Sequence, residues 1–411
     1  MRIGINCLNI SPDYVGGVNS YTLGLIEGWT KIQSDHDFVI FATAENRHLF
    51  ERFARTRRFT IKQFDGYDNI WKKRIMWRLA IYRLRTLFSI ADALFYRQLA
   101  RTTDSLVDLI YFPNTILFPL RNTKCKVLSM HDIQQFHYPE FFSRLELNYR
   151  CVKYMLSARR TDYMQASSEF MKRDFLEHFR FLKPEQLFVV NEGVDIETFQ
   201  NRQTGTGVRE KYDLPEHFLF YPAQLWHHKN HITVLKALLK LKKECSLNIP
   251  LVLTGTEYGA AESIFQFIDK NEMRQVSYLG RVPFEDLISL YQEARFLITA
   301  VLYESNSLPI LEAAAAGTPI IASDTPPNRE LTGRLRINLF PPLDADKLAE
   351  LLYLIWNDED LIKLQTQTNA KGIEFYSWQR AAAKYIEVFE TLIGAAEQVN
   401  RSETSDRLSL A

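Results

Sequence analysis

The chain has 411 residues, of which 46% are hydrophobic and 24% charged, and a formal net charge of +1. That length makes two domains the default, and the composition is that of a globular protein able to bury a large core. The near-neutral balance excludes a protein that gathers polyanions through overall charge, so any electrostatic partner must be met by a local patch.

The opening "MRIGINCLNI" reads as a first buried strand rather than a signal peptide. After the turn "NISPDYVGG", a helical pattern runs from Val18 to Lys31. Further strands are expected at "DFVIFAT", "LVDLIYFPN", "CKVLSMHD" and "DYMQAS", with a helix from about Ser168 and a closing segment "LFVVNEGVD". The four cysteines, Cys7, Cys125, Cys151 and Cys245, are widely spaced. They form no CxxC pair, which favours a reducing compartment and disfavours a thiolate metal site. No apolar run reaches the roughly 18 residues of a membrane span.

A second half opens near Gly205 and repeats the alternation. It predicts strand "FLFYPAQ", helix Ile232 to Cys245, strand "PLVLTGT", helix Ala260 to Asn271, strand "VSYLG" and helix Phe284 to Glu293. Strand "FLITAV", helix Pro309 to Ala316 and strand "PIIASD" follow. Regular alternation gives parallel sheets with helices on both faces. The expected architecture is α/β, with two facing doubly wound domains and ligands held in a cleft at the strand carboxyl ends. The expected domains are residues 1–204, 205–375, a C-terminal helix over 376–398 returning toward the first domain, and a polar, disordered tail over 399–411.

The most informative segment is "YESNSLPILEAAAAGTPIIASD". Ser307 suits a helix cap, Pro309 the first turn, and Gly317 the stop. Glu304 then lies on the loop after a strand and Glu312 one turn inside the helix. A helix start offers unpaired N–H groups and partial positive charge, a natural anion site. The plainer alternative is a solvated loop glutamate and a dipole partner. "WHHKNH" invites a metal reading through His227, His228 and His231. Adjacent histidines point apart and no carboxylate is near in sequence, so Lys229 is read as the active residue there.

Several segments together resemble glycosyltransferase family four, the retaining GT-B group. They are "GGVNSY", "MHDIQQFHYPE", "ASSEFMKRDF", "NEGVDIETF", "YPAQLWHHKNH", "LGRVPFEDLISLY" and the paired glutamates Glu304 and Glu312. The resemblance covers most of the chain in the family's order, and it implies site roles. Glu312 would hold the donor ribose, Glu304 the transferred sugar, and Lys229 the diphosphate, with Gln224, Ser307 and Leu308 also at the donor. Arg281 and Val282 would lie near the base, and Gly16 and Gly17 would admit the donor phosphates. His131, grouped with Glu304 as catalytic, and Asp132 would line the sugar and acceptor side.

It further implies a hexosyl transfer with retention, without metal or other cofactor. The donor would be a nucleotide sugar, GDP-mannose by likeness to mannosyl-transferring members, and the acceptor a glycan or lipid-linked glycan of bacterial surface assembly. Two departures stand out: Ser305, Asn306 and Ser307 replace the family's usual glycines, and Pro222-Ala223-Gln224 lacks an arginine often found before the lysine. A nucleotide-sugar epimerase of the same architecture and a catalytically silent glycan-binding subunit are the alternatives.

Trp71 to Arg101 carries eight Lys/Arg and one acid, Asp92. Trp71, Lys72, Lys73, Arg74, Trp77 and Arg78 form its basic, aromatic head. Such a helix can lie on anionic lipid, or its aromatics can be core beneath a solvated basic face. With the resemblance, the expectation is a cytoplasmic protein peripheral to the inner membrane face and not bound to nucleic acid.

Overall fold

The computed structural model describes residues 1–12, 17–67, 69–201 and 207–409, with residues 395–409 as helical backbone alone. The chain forms two compact units, one of Met1–Gly193 with Trp378–Ala411 and one of Val194–Ser377.

The first unit holds a parallel sheet of β1 (Arg2–Asn6), β2 (Asp37–Ala42), β3 (Phe59–Gln63), β4 (Leu109–Phe112), β5 (Cys125–Ser129), β6 (Tyr163–Ala166) and β7 (Leu187–Val189). Their spatial order is β3-β2-β1-β4-β5-β6-β7. The central strands are apolar on both faces, as helices covering both sides of a sheet require. Those helices are α1 (Gly17–Lys31), α2 (Ile70–Ile81), α3 (Arg85–Phe95), α4 (Arg97–Leu106), α5 (Gln134–His137), α6 (Arg144–Arg160) and α7 (Glu169–His178). Ser143 and Glu146 cap α6 reciprocally, and Ser168 caps α7 by accepting from Met171 N–H.

The second unit repeats the plan. Strands β8 (Leu219–Pro222), β9 (Leu251–Thr254), β10 (Val276–Tyr278), β11 (Phe296–Thr299), β12 (Ile320–Ser323) and β13 (Asn338–Phe340) lie in the order β10-β9-β8-β11-β12-β13, all pairs parallel. Its helices are α8 (Ile196–Gln200), α9 (Val208–Lys211), α10 (His231–Glu244), α11 (Ala261–Lys270), α12 (Phe284–Glu293), α13 (Leu308–Ala316), α14 (Pro326–Leu331), α15 (Ala345–Ile355) and α16 (Glu359–Gly372). The unit begins eleven residues earlier than the sequence suggests, at Val194. The cause is α8: Phe199 packs edge-on against Tyr291, and Gln292 donates to the Phe199 carbonyl at 2.8 Å.

The last helix, α17 (Trp378–Ser409), returns to the first unit. Tyr385 there joins Tyr21, Tyr111 and Ser129 in a buried hydroxyl cluster, with Tyr21–Tyr385 at 2.5 Å and Tyr111–Ser129 at 2.6 Å. The helix continues through Ser409, where a disordered tail was expected, because Ala, Glu, Gln and Arg favour helix and no Pro or Gly interrupts after Gly394. Close approach of α17 to α1 depends on two glycines. A Cβ on Gly24 would fall 2.3 Å from the Trp378 ring, and one on Gly28 would fall 2.4 Å from the Trp378 carbonyl. Gly28→Ala is therefore expected to destabilise the protein by about 1–3 kcal/mol. Gly394→Ala, in open space on α17, should be neutral or slightly stabilising. Urea midpoints of the two variants check this, and equal midpoints would refute the close packing.

Candidate functional site

In the second unit the strand order reverses between β8 and β11, and such a switch point opens a crevice beyond the strand carboxyl ends. The loop after β8 ends in a single 3-10 turn, His227–Lys229, and the loop after β11 leads into α13. Leu302 N–H donates to the His228 carbonyl at 2.8 Å and ties the two loops. The Tyr221 hydroxyl accepts from Ala300 N–H at 3.0 Å and donates to the Lys229 carbonyl. Asn230 completes the brace. Its backbone is left-handed, φ 54°, and its amide donates to the carbonyls of Ala300 (3.1 Å) and Pro342 (2.7 Å). An asparagine tolerates that conformation better than most residues.

So held, the Lys229 ammonium forms an ion pair with Glu304 Oε1, both side chains being 17% exposed. The other carboxylate oxygen, Glu304 Oε2, is buried without a hydrogen-bond partner. The Ser307 hydroxyl shares that condition. Ser307 does occupy the N-cap position of α13, but its side chain makes no cap bond, so the expected hydroxyl cap is corrected. Thr325 Oγ1, after β12, is a third buried polar atom without a partner. Buried polar atoms at strand carboxyl ends that lack protein partners suit a polar ligand. Pro309 and Gly317 (φ 83°) start and stop α13 as expected.

Glu312 sits one turn into α13, and its Oε2 accepts from the Tyr291 hydroxyl at 2.6 Å. Burial raises its pKa, and the Tyr291 bond opposes that rise. Gln224 Oε1 accepts from Trp226 Nε1 at 3.0 Å, and Trp226 stacks on Tyr258 with centroids 4.0 Å apart. Arg281 is exposed on the turn after β10, while Val282 and Leu308 pack partly against the core of this unit. Gly255 lets the β9 and β8 loops meet, because a Cβ there would lie 2.5 Å from the Ala223 carbonyl.

His131, Asp132 and Gly17 belong to the first unit. His131 Nε2 lies 2.7 Å from the Pro113 carbonyl, and its Nδ1 lies 3.6 Å from Glu192. Burial lowers the His131 pKa, but Glu192 outweighs it and the net shift is upward. Asp132 pairs with Arg150 at 2.7 Å. Gly17 opens α1 and is exposed, and Gly16 lies outside the described residues.

The basic stretch is three helices rather than one, because Arg83 adopts φ 58° and the chain turns before α3. Trp71, Trp77 and Tyr82 are exposed, whereas Phe88 and Tyr96 are core, so the core reading holds for the latter two. Lys73, Arg74 and Arg78 are exposed. Lys72 is turned inward, donating to the Tyr67 carbonyl at 2.8 Å, and this removes it from the exposed head. Among the described residues no helix is long and apolar enough to cross a membrane.

Sequence reasoning missed Asn230, Tyr221 and Tyr291, which position the loops and Glu312. Asn230 stood in view inside "WHHKNH", between the histidines weighed as ligands. His231 instead stacks on Tyr221 with centroids 4.4 Å apart. Three Asp-x-Asp triplets exist: Asp35–Asp37 leads into β2, and Asp344–Asp346 and Asp358–Asp360 each open a helix, with Asp344 and Asp358 as caps.

A doubly wound unit repeated once, with a polar crevice at the switch point of its second copy, is the plan of the GT-B glycosyltransferases. Solved structures agree on the fold. Anabaena HepE, solved with UDP and glucose, superposes with a TM-score of 0.70 at 16% identity, over 95% of this chain and 100% of that one. WaaG, a glycosyltransferase involved in lipopolysaccharide biosynthesis, gives 0.66 at 14% identity, over 94% and 99%. Residues 208–375 match the family model "Glycosyl transferases group 1", so the chain carries a glycosyltransferase domain of that family. Among curated relatives, the O-antigen chain mannosyltransferase B of Escherichia coli is 24% identical over 69% of this chain and 75% of its own length. The MMP alpha-(1->4)-mannosyltransferase of Mycolicibacterium hassiacum is 29% identical over 57% of this chain and 56% of its own length.

Burial pushes the His231 pKa from 6.5 down to about 3, and the nearby Lys229 charge adds to this. Between those values the unfolded chain takes up a proton that the folded chain refuses, so stability falls as pH drops through that window. His231→Phe keeps the stack on Tyr221 and removes the penalty. Between pH 7 and pH 5 the native protein should lose about 2 kcal/mol more than this variant. Denaturant titrations at both pH values check it, and parallel losses would refute it.

Proposed function

We propose that the chain is a retaining mannosyltransferase that moves mannose from GDP-mannose to a glycan or lipid-linked glycan acceptor without a metal ion. The observation that carries this reading is the Lys229–Glu304 pair at the switch point, with the second Glu304 oxygen buried and unpartnered. A nucleoside diphosphate leaving group gains negative charge as its bond to sugar C1 breaks. Lys229 supplies a charge-assisted bond of about 1.5–3 kcal/mol. The start of α13 adds about 0.3–2 kcal/mol. Micromolar donor affinity needs about 8 kcal/mol. The remainder falls to Glu312 on the ribose, Glu304 on the sugar hydroxyls, and Arg281 and Val282 at the base, with Gln224, Ser307 and Leu308 beside them. Gly16 and Gly17 admit the donor phosphates, and His131 and Asp132 serve the sugar and acceptor side.

In this mechanism the acceptor oxygen attacks C1 from the face the diphosphate leaves, and the acceptor proton passes to a phosphate oxygen. Mannose is supported by the names of the curated relatives. The UDP and glucose of HepE make a nucleotide panel the natural check.

Glu304 and a donor phosphate compete for the same ammonium, and this gives an uncommon expectation. Glu304→Gln should lower transfer by at least about 100-fold. It should also bind nucleoside diphosphate about threefold to tenfold more tightly, since the internal competitor loses its charge. Glu312→Ala should mainly weaken donor binding. Calorimetry with GDP and UDP, alongside nucleotide release with a lipid-linked glycan extract, tests all three. Unchanged transfer in both variants would remove the site assignment, preference for UDP would remove GDP-mannose, and absent release would favour a silent binding subunit.

The exposed Trp71, Ile75, Trp77 and Tyr82, beside Lys73, Arg74 and Arg78, support peripheral contact with an anionic membrane. Each basic residue near the surface contributes about 1 kcal/mol, so replacing these three by Gln should weaken binding to phosphatidylglycerol vesicles about 100-fold. Equal sedimentation with neutral vesicles would refute the contact.

A further inference from the structure

Three side chains outside the transfer residues converge in the first unit. His137 ends α5, and Asp174 and His178 lie one turn apart on α7. His137 Nε2 is 2.9 Å from both Asp174 carboxylate oxygens. His178 Nδ1 is 3.2 Å from Asp174 Oδ1 and 2.9 Å from the Asp174 carbonyl. All three donor atoms lie within 4.8 Å of one another, and among the described residues no other such group of three is found. The carboxylate is 3% exposed, and the imidazoles are 29% and 23% exposed. A small ion would thus meet a buried anion from an open side. On the other face, Phe136 lies 5.2 Å from the His178 ring.

We propose that His137, Asp174 and His178 form a binding site for a divalent transition-metal ion, zinc by donor type. Two imidazole nitrogens and one carboxylate oxygen match the borderline softness of Zn2+, whereas Mg2+ and Ca2+ prefer oxygen alone. The two histidine–carboxylate separations, 2.9 and 3.2 Å, are near the edges of a tetrahedron with bonds of about 2.0–2.2 Å, and a water would complete the fourth position. Binding requires His178 Nδ1 to release the Asp174 carbonyl and both imidazoles to present a lone pair. The ion would fasten α5 to α7. It would thereby hold the segment that begins at His131 and Asp132, which Arg150 already ties through Asp132 (2.7 Å) and Gln135 (3.2 Å). The site uses residues of the first unit only and leaves the donor residues of the second unit untouched.

The test uses the full chain, stripped with chelator and titrated with Zn2+ against a chromophoric competitor. One ion per chain is expected, with a rise in unfolding temperature, and Co2+ should give the visible spectrum of a four-coordinate site. His137→Gln and His178→Gln should each weaken binding by more than about tenfold, the least that even an outer-sphere partner contributes. A His227→Gln, His228→Gln double variant should bind as the native protein does. No retained ion, affinity unchanged by the first two variants, or affinity lost in the double variant would each overturn the site. If His178→Gln fails to fold, the partly exposed His137→Gln decides alone, with circular dichroism confirming its fold.

Discussion

One ammonium and one carboxylate, delivered by two neighbouring strands, meet at the switch point of the second unit. Lys229 follows β8 and Glu304 follows β11, the strands between which the sheet order reverses. Without a ligand each neutralises the other, so neither charge stands alone in a mostly buried place. In the proposed reaction a diphosphate would exchange one anion for another at Lys229, which costs far less than exposing an unpaired ammonium. The released carboxylate would then need new donors, and sugar hydroxyls would supply them. On that proposal the ion pair is the internal competitor that donor binding would displace.

The scaffold fixes this pair by backbone and neutral side chains rather than by further charges. Asn230, Tyr221 and the Leu302–His228 bond brace the two loops from three directions, and Gly255 removes the Cβ that would push the β9 loop off the β8 loop. Tyr291 in turn holds one carboxylate oxygen of Glu312. Such support from packed, hydrogen-bonded neighbours is what precise positioning of polar groups requires. In the first unit, rigidity comes from the hydroxyl cluster of Tyr21, Tyr111, Ser129 and Tyr385, which fastens α17 beside α1.

Much of this was legible in residue patterns, and the exceptions are physical. Helix Phe284 to Glu293 matches α12 residue for residue, and the stop at Gly317 follows from its left-handed backbone. The strands β3 and β13 escaped notice because each is a sheet edge, one half polar and the other three residues long. Edge strands lack the continuous apolar run that marks a buried one. The Lys229–Glu304 contact joins residues 75 apart, and periodicity carries no record of such a pairing. The same holds for His137 with Asp174, 37 residues apart. The orphaned hydroxyl of Ser307 is equally invisible in sequence, where a serine before a proline reads as a cap.

The central claim is that a donor diphosphate displaces Glu304 from Lys229. A crystal structure of the full chain with a bound sugar nucleotide tests it most directly. It should show a phosphate oxygen within hydrogen-bond distance of the Lys229 ammonium and the Glu304 carboxylate turned to the sugar. A bound nucleotide with the Lys229–Glu304 pair intact and no phosphate at the ammonium would contradict it.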